Sequence, residues 1–258
     1  MEQRFSVGNC MNKKIKNKLR LLLVIAVILV GAAFVVNYLM TYSKATSTAQ
    51  AALAGNEQVN VESEKGYYRF DPVQKETSET GILFYPGGKV DEVAYAPLAS
   101  RLAECGYPVF LVKMPFHLAV FDCNAAEEIM EANPDLSHWI IMGHSLGGAM
   151  AANFASSHEN EIEGLVLLAA YSTKDLSHSD VKVLSMYGSN DGVLKMKKYQ
   201  SNKKNLPKDM TEYIIEGGNH AGYGYYGAQN GDYAAEISQR EQQEAVVDLF
   251  LCVFGNKD

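Results

Sequence analysis

Apolar and polar positions fall into blocks along this chain, and the blocks change character twice. Leu21 to Val36, LLLVIAVILVGAAFVV, is apolar without a break. With Leu19, Leu39 and Met40 it approaches the roughly 20 residues that cross a bilayer as a helix, so residues 21–40 are expected to span a membrane. Thr41 to Asn56, TYSKATSTAQAALAGN, is small and polar and reads as a linker with room for a short helix. From residue 57 to 258 short apolar runs alternate with amphipathic ones. VNVESE and GYYRFDP read as a strand pair turning at Lys65-Gly66. TGILFYPGG, YPVFLVKMP, HWIIMG, IEGLVLLAA, VKVLSMYG and TEYIIEGG read as strands. Between and after them, YAPLASRLAECG, AAEEIMEANP, LGGAMAANFASSHEN, KMKKYQSNKKNLP and SQREQQEAVVDLFLCVFG read as helices. Continuous apolar strands separated by helices predict an α/β domain with a mostly parallel, doubly wound sheet covered on both faces.

Charge sharpens the first block. Residues 1–20 carry Arg4, Lys13, Lys14, Lys16, Lys18 and Arg20 against Glu2, a net of +5, and residues 21–40 carry none. The chain as a whole is −7, so residues 41–258 carry −12. Basic residues precede the apolar run and no basic cluster follows it. The positive-inside rule then keeps residues 1–20 in the cytoplasm and exports the rest, as a single-pass protein of the cell membrane. A signal peptide cleaved near Ala49–Ala51 is the competing reading, although AQA lies far from the end of the apolar run. An acidic body argues against a nucleic-acid partner. Of the cysteines, Cys105, Cys123 and Cys252 lie in the exported part. One disulfide is open to them, a zinc site is not indicated, and mostly buried thiols are the simpler expectation.

In parallel α/β sheets, functional groups collect where strands end. After ILFY comes Pro86-Gly87-Gly88-Lys89; after WIIM comes Gly143-His144-Ser145-Leu146-Gly147-Gly148. After VLSMYG comes Ser189-Asn190-Asp191-Gly192, and after YIIEGG comes Asn219-His220-Ala221-Gly222. Serine, aspartate and histidine therefore fall on one sheet edge in the order Ser145, Asp191, His220. That is the order of a nucleophile elbow with its partners. Ser145 needs a base, which His220 supplies, and Asp191 would orient the imidazole. The N–H groups of Gly88 and Leu146 are the candidate oxyanion donors. Each element alone has a plainer reading, as a turn serine, a turn aspartate and a loop histidine. Their joint order is what carries the assignment.

These residues resemble the alpha/beta hydrolase superfamily. From about Tyr67 to Phe254 the chain is similar to its small, capless, dienelactone-hydrolase-like group, the alpha/beta hydrolase fold-5 domain. The matching stretches are YPGGKVDEVAYAPLASRLAECGYPVFLVKMPF, GHSLGGAMAA, GLVLLAAY, YGSNDGV and GGNHAGYGYYGAQNGDYAAEISQREQQ. The resemblance implies hydrolysis of esters or related acyl compounds, and the Ser145–Asp191–His220 set needs no cofactor or metal. Dienelactone hydrolases proper use a cysteine nucleophile, whereas Ser145 stands here, so their particular substrate does not transfer. Only about ten residues separate LVLLAA from VKVLSMYG, where lipases of this fold carry a lid, so an open site for short or polar esters is expected. His117, His144, Tyr223 and Tyr225 are candidate pocket residues, each also readable as loop or packing. Lys195, Lys197, Lys198, Lys203 and Lys204 read as a solvated basic face. The leading expectation is a membrane-anchored extracytoplasmic serine hydrolase of a small ester or lactone-like substrate. An acyltransferase to a cell-surface acceptor and a non-catalytic binding module are the alternatives. The oligomeric state is open.

Overall fold

Helix α1 spans Gln3–Met40, and a computed structural model describes it together with the chain beyond it, covering residues 3–73 and 76–255. Side chains of residues 3–14 lie outside the description, and with them those of Arg4, Cys10, Lys13 and Lys14. The stretch Ile15–Met40, 26 residues, is long and apolar enough to cross a membrane. At 1.5 Å per residue it extends about 39 Å, against a hydrocarbon core of about 30 Å. It is a candidate membrane anchor or signal sequence. The chain divides into two compact units, residues 1–41 and 42–258.

Among the described residues, the second unit is built on eight strands in the order β1-β2-β4-β3-β5-β6-β7-β8. Strands β1 (Val59–Ser63) and β2 (Tyr67–Pro72) form the antiparallel pair expected around Lys65-Gly66. β2 runs antiparallel to β4 (Val109–Val112). β4, β3 (Thr80–Tyr85), β5 (His138–His144), β6 (Ile162–Leu168), β7 (Lys182–Gly188) and β8 (Thr211–Ile215) are mutually parallel. Alternate side chains feed two cores, one on each face. Ile82, Phe84, Ile140, Met142 and Val166 meet α3 (Ala96–Glu104) and α7 (Gln239–Phe254). Leu83, Tyr85, Ile141, Leu165 and Leu167 meet α4 (Ala125–Ala132) and α5 (Leu146–Ser157). Burial on both faces is why the strands read as unbroken apolar runs.

The expected linker at 41–56 is not one. Helix α2 (Ser47–Ala52) is capped by Thr46, whose side chain accepts from Ala49 N. Ala45 and Ala49 are buried in the α3/α7 core. Ser43 bridges Val90, and Thr46 N donates to Tyr225 O at 2.8 Å. Small residues at 45 and 49 are what let the segment lie close against the body, and their smallness is also why the sequence looked unstructured. The thiols differ from expectation as well. No disulfide joins Cys105, Cys123 and Cys252, and Cys252 is exposed while the other two are half-buried.

Among the described residues, five non-glycines have positive φ: Lys89, Phe116, His117, Ser145 and Ala169. All five follow the carboxyl ends of β3, β4, β5 or β6. Strain of this kind persists only where surrounding structure enforces it, and it concentrates at functional sites.

Candidate active site

Ser145 sits between β5 and α5 with φ 52° and ψ −119°. Its N–H donates to Leu168 O at 2.9 Å, and its carbonyl accepts from Ala149 N at 3.1 Å. The flanking glycines permit this turn. A Cβ on Gly143 would lie 2.7 Å from the Gly147 carbonyl, and one on Gly147 would collide with the Pro86 carbonyl oxygen. As the residue preceding α5, Ser145 stands at a helix N-terminus whose first N–H groups have no intrahelical acceptor.

Asp191 and His220 come from the turns after β7 and β8. His220 Nδ1 donates to Asp191 Oδ2 at 2.8 Å, and both side chains are 1% exposed. Asp191 Oδ1 accepts from Val193 N and Leu194 N, both at 2.8 Å. The carboxylate is thus held at both oxygens, which fixes the imidazole with its N–H toward Asp191. Nε2, on the other side of the ring, is buried and makes no hydrogen bond. His220 and Ser145 line one cleft of about 400 Å³, with Leu146, Met150, Ala170, Tyr171 and Leu194 among its walls. A larger groove of about 970 Å³, between Ser177 and Met210, precedes β7 and β8 at the opposite sheet edge and contains none of these three residues.

Gly88 lies against Leu146: a Cβ on it would be 2.7 Å from Leu146 Cδ2. The two candidate oxyanion donors are therefore neighbours, one on the turn after β3 and one on the first residue of α5. A buried relay supports this turn. Gly87 N donates to Tyr95 Oη at 3.1 Å, and Tyr95 Oη bonds to His144 Nδ1 at 2.8 Å. Burial raises the Tyr95 phenol well above its usual range, keeping it protonated and able to donate. Burial, and then the neighbouring His220, push the His144 imidazole well below its usual range, so it stays neutral and accepts.

The four expected pocket residues lie elsewhere than the cleft. His144 is buried beneath the elbow, in this relay. His117 bonds Glu92 Oε2 at 3.2 Å, its ring centroid is 3.9 Å from that of Tyr42, and its carbonyl accepts from Lys89 N. It braces the turn after β3. Tyr223 is fully buried in the α3/α7 core, where burial and then the Asp191 charge raise its phenol well above the usual range. Tyr225 is half-buried on the same core, its N–H donating to Ala94 O at 2.8 Å. The glycine-rich loop folds inward, so both rings pack on the core rather than in the cleft. Lys203 pairs with Glu212 at 2.8 Å, while Lys195, Lys197 and Lys198 are exposed.

Sequence reading also missed residues that hold the His220 loop. Gln242 donates to Asn219 O at 2.8 Å and accepts from Asn219 N at 3.0 Å. Gln239 donates to Gly224 O and Gln243 to Tyr223 O. Two glutamines in phase with Val246, Val247 and Phe250 on the buried face of α7 were the available signal.

A family model described as the alpha/beta hydrolase family matches residues 81–244. The chain belongs to the alpha/beta hydrolase family. Hydrolase activity is the coarse assignment this membership supports. Two solved structures share the fold: a predicted CIB-like hydrolase from Thermoplasma acidophilum, and an alpha/beta hydrolase enzyme from a sediment metagenome of the Mar Chica lagoon, Morocco. Each aligns at 16% identity with a TM-score of 0.55, covering 74% of this chain and 98% or 97% of its own. A Mycobacterium phage D29 protein with the provisional name non-heme haloperoxidase is 28% identical over 111 residues, 40% of this chain and 40% of its own length.

Proposed function

We propose that this hydrolase is a membrane-anchored, extracytoplasmic serine esterase acting on a small carboxylic ester or lactone-like substrate. The observation that carries the reading is the His220–Asp191 bond of 2.8 Å with Nε2 left free, in the same cleft as a strained Ser145. Ser145 Oγ attacks the substrate carbonyl carbon while His220 Nε2 takes its proton. The carbonyl oxygen becomes an oxyanion and accepts from the N–H groups of Gly88 and Leu146, each worth about 10²–10³ in rate. His220 then protonates the departing alkoxide, leaving an acyl-enzyme. Water, deprotonated by the same nitrogen, attacks the acyl carbon and releases the acid and free Ser145. Asp191 keeps the tautomer and stabilises the imidazolium. No step calls on a cofactor.

The mostly apolar walls of the cleft and its volume of about 400 Å³ suit a short acyl group. Residues 169–181, between β6 and β7, contain neither helix nor strand, which supports an open site. Retention of the anchor is supported by the buried Ala49. Cleavage after Ala51 would remove residues 43–51, which are part of the folded body.

The test uses the full chain in detergent micelles, with p-nitrophenyl acetate turnover and fluorophosphonate labelling. The expected result is labelling of the wild type and its loss in Ser145→Ala, with turnover falling by on the order of 10⁴-fold or more. Labelling that survives the substitution refutes the reading.

A further inference from the structure

Asp191 and His220 belong to separate loops, so their 2.8 Å bond requires that the loops be held in register. One carboxylate does this from outside the pair. Asp232 Oδ1 accepts from Gly192 N at 3.0 Å, from His220 N at 3.2 Å and from Tyr233 N at 3.1 Å; Oδ2 accepts from Ala221 N at 2.9 Å. Only the Tyr233 bond is local to its own turn. The other three donors adjoin or include the two residues of the pair.

The segment carrying Asp232 is fastened to the same loops by other bonds. Asn190 Nδ2 donates to Ala234 O at 3.1 Å, and Asn219 Nδ2 donates to Tyr233 O at 2.7 Å. A Cβ on Gly192 would lie 3.1 Å from Asp232 Cα, so the turn after β7 rests directly on this segment. A carboxylate is the side chain suited to this point, because both of its oxygens face only donors. An asparagine of the same shape would turn an N–H₂ group toward either Ala221 N or the Gly192 and His220 N–H groups, giving a donor–donor conflict.

We propose that Asp232 is a positioning residue: it clamps the Asp191 and His220 loops together and thereby aligns the imidazole between Asp191 and Ser145. The inference rests on the serine-hydrolase reading. Displacement of a reacting group by about 1 Å costs up to about 10²-fold in rate. Because His220 is the one cleft-lining residue that Asp232 bonds, and neither oxyanion donor is among its partners, its loss falls on kcat rather than KM.

The experiment compares wild type, Asp232→Asn, Asp191→Asn and the double variant, as full chains in micelles. It measures p-nitrophenyl acetate kinetics, fluorophosphonate labelling and thermal unfolding of each. Asp232→Asn is expected to lower kcat between about 10- and 100-fold with KM within about twofold of wild type. In the Asp191→Asn background the same substitution should cost less than about threefold, since alignment is already lost there. Full multiplicative loss in the double variant, unchanged kcat in folded Asp232→Asn, or a rise in KM alone would overturn the proposal. If Asp232→Asn does not fold, Asp232→Ser, which keeps one acceptor oxygen, is judged by the same criteria. A wild type that neither turns over nor labels, or activity that survives Ser145→Ala, sinks the hydrolase reading and this inference with it. An active wild type with an undisturbed Asp232 variant sinks this inference alone.

Discussion

Ser145 holds a backbone conformation that costs a residue with a side chain on the order of 1–3 kcal/mol, and its neighbours are chosen to enforce it. Gly143 and Gly147 leave no volume into which the turn could relax. His144 contributes differently. It is buried and neutral, accepting from Tyr95, whereas in the unfolded chain it titrates near 6.5. Its folded pKa is the lower of the two. Below about pH 6.5 the unfolded state therefore binds a proton that the folded state refuses, and stability falls as pH falls, by up to about 1.4 kcal/mol per unit. Above that pH the group makes no pH-dependent contribution. His144→Asn keeps an acceptor for Tyr95 and removes the titration. Between pH 7.5 and 5.5 the wild type should lose more thermal stability than the variant, by roughly 2–4 °C for each kcal/mol of linkage removed. Equal losses in the two proteins would mean that His144 does not stay neutral.

Elements differ in how plainly their sequences announce them. β3, β5, β6 and β7 are buried on both faces, so their apolar runs, and the Ser145 and Asp191 turns that end them, were legible. The end of β8 was legible too, although most of that strand is exposed, because its glycine pair punctuates it. What the sequence concealed are contacts made by small or polar residues. Ala45 and Ala49 pack without a hydrophobic signature, Gln242 binds backbone from the buried face of α7, and Tyr223 turns inward from a glycine-rich loop. The segment 42–56 gives this difference a measurable consequence. Its removal strips the Ser43–Val90 bridge, the Thr46–Tyr225 bond and the cover over α3. With each hydrogen bond worth about 1 kcal/mol and some apolar burial added, the loss is on the order of 3 kcal/mol. A soluble fragment 57–258 should unfold roughly 6–12 °C below a fragment 42–258. Equal midpoints would return the segment to the status of a linker.

Across the whole molecule, a basic tail of net +5, an uncharged helix and a body of net −12 form one electrostatic gradient along the chain. A helix so flanked orients with its basic end in the cytoplasm. The acidic body gains nothing from anionic lipid on that side. In the proposed orientation the cleft would be exported, and the substrate would be one met outside the cytoplasm. Cysteines report this directly, since Cys10 lies in the tail and Cys252 is exposed on α7. A chain retaining Cys252 alone should react with a membrane-impermeant maleimide in intact cells, and a chain retaining Cys10 alone only after lysis. The reversed pattern would invert the topology. A full-length mass together with resistance to alkaline extraction distinguishes a retained anchor from a cleaved signal, because cleavage after Ala51 takes the tail, the helix and part of the folded body in one step.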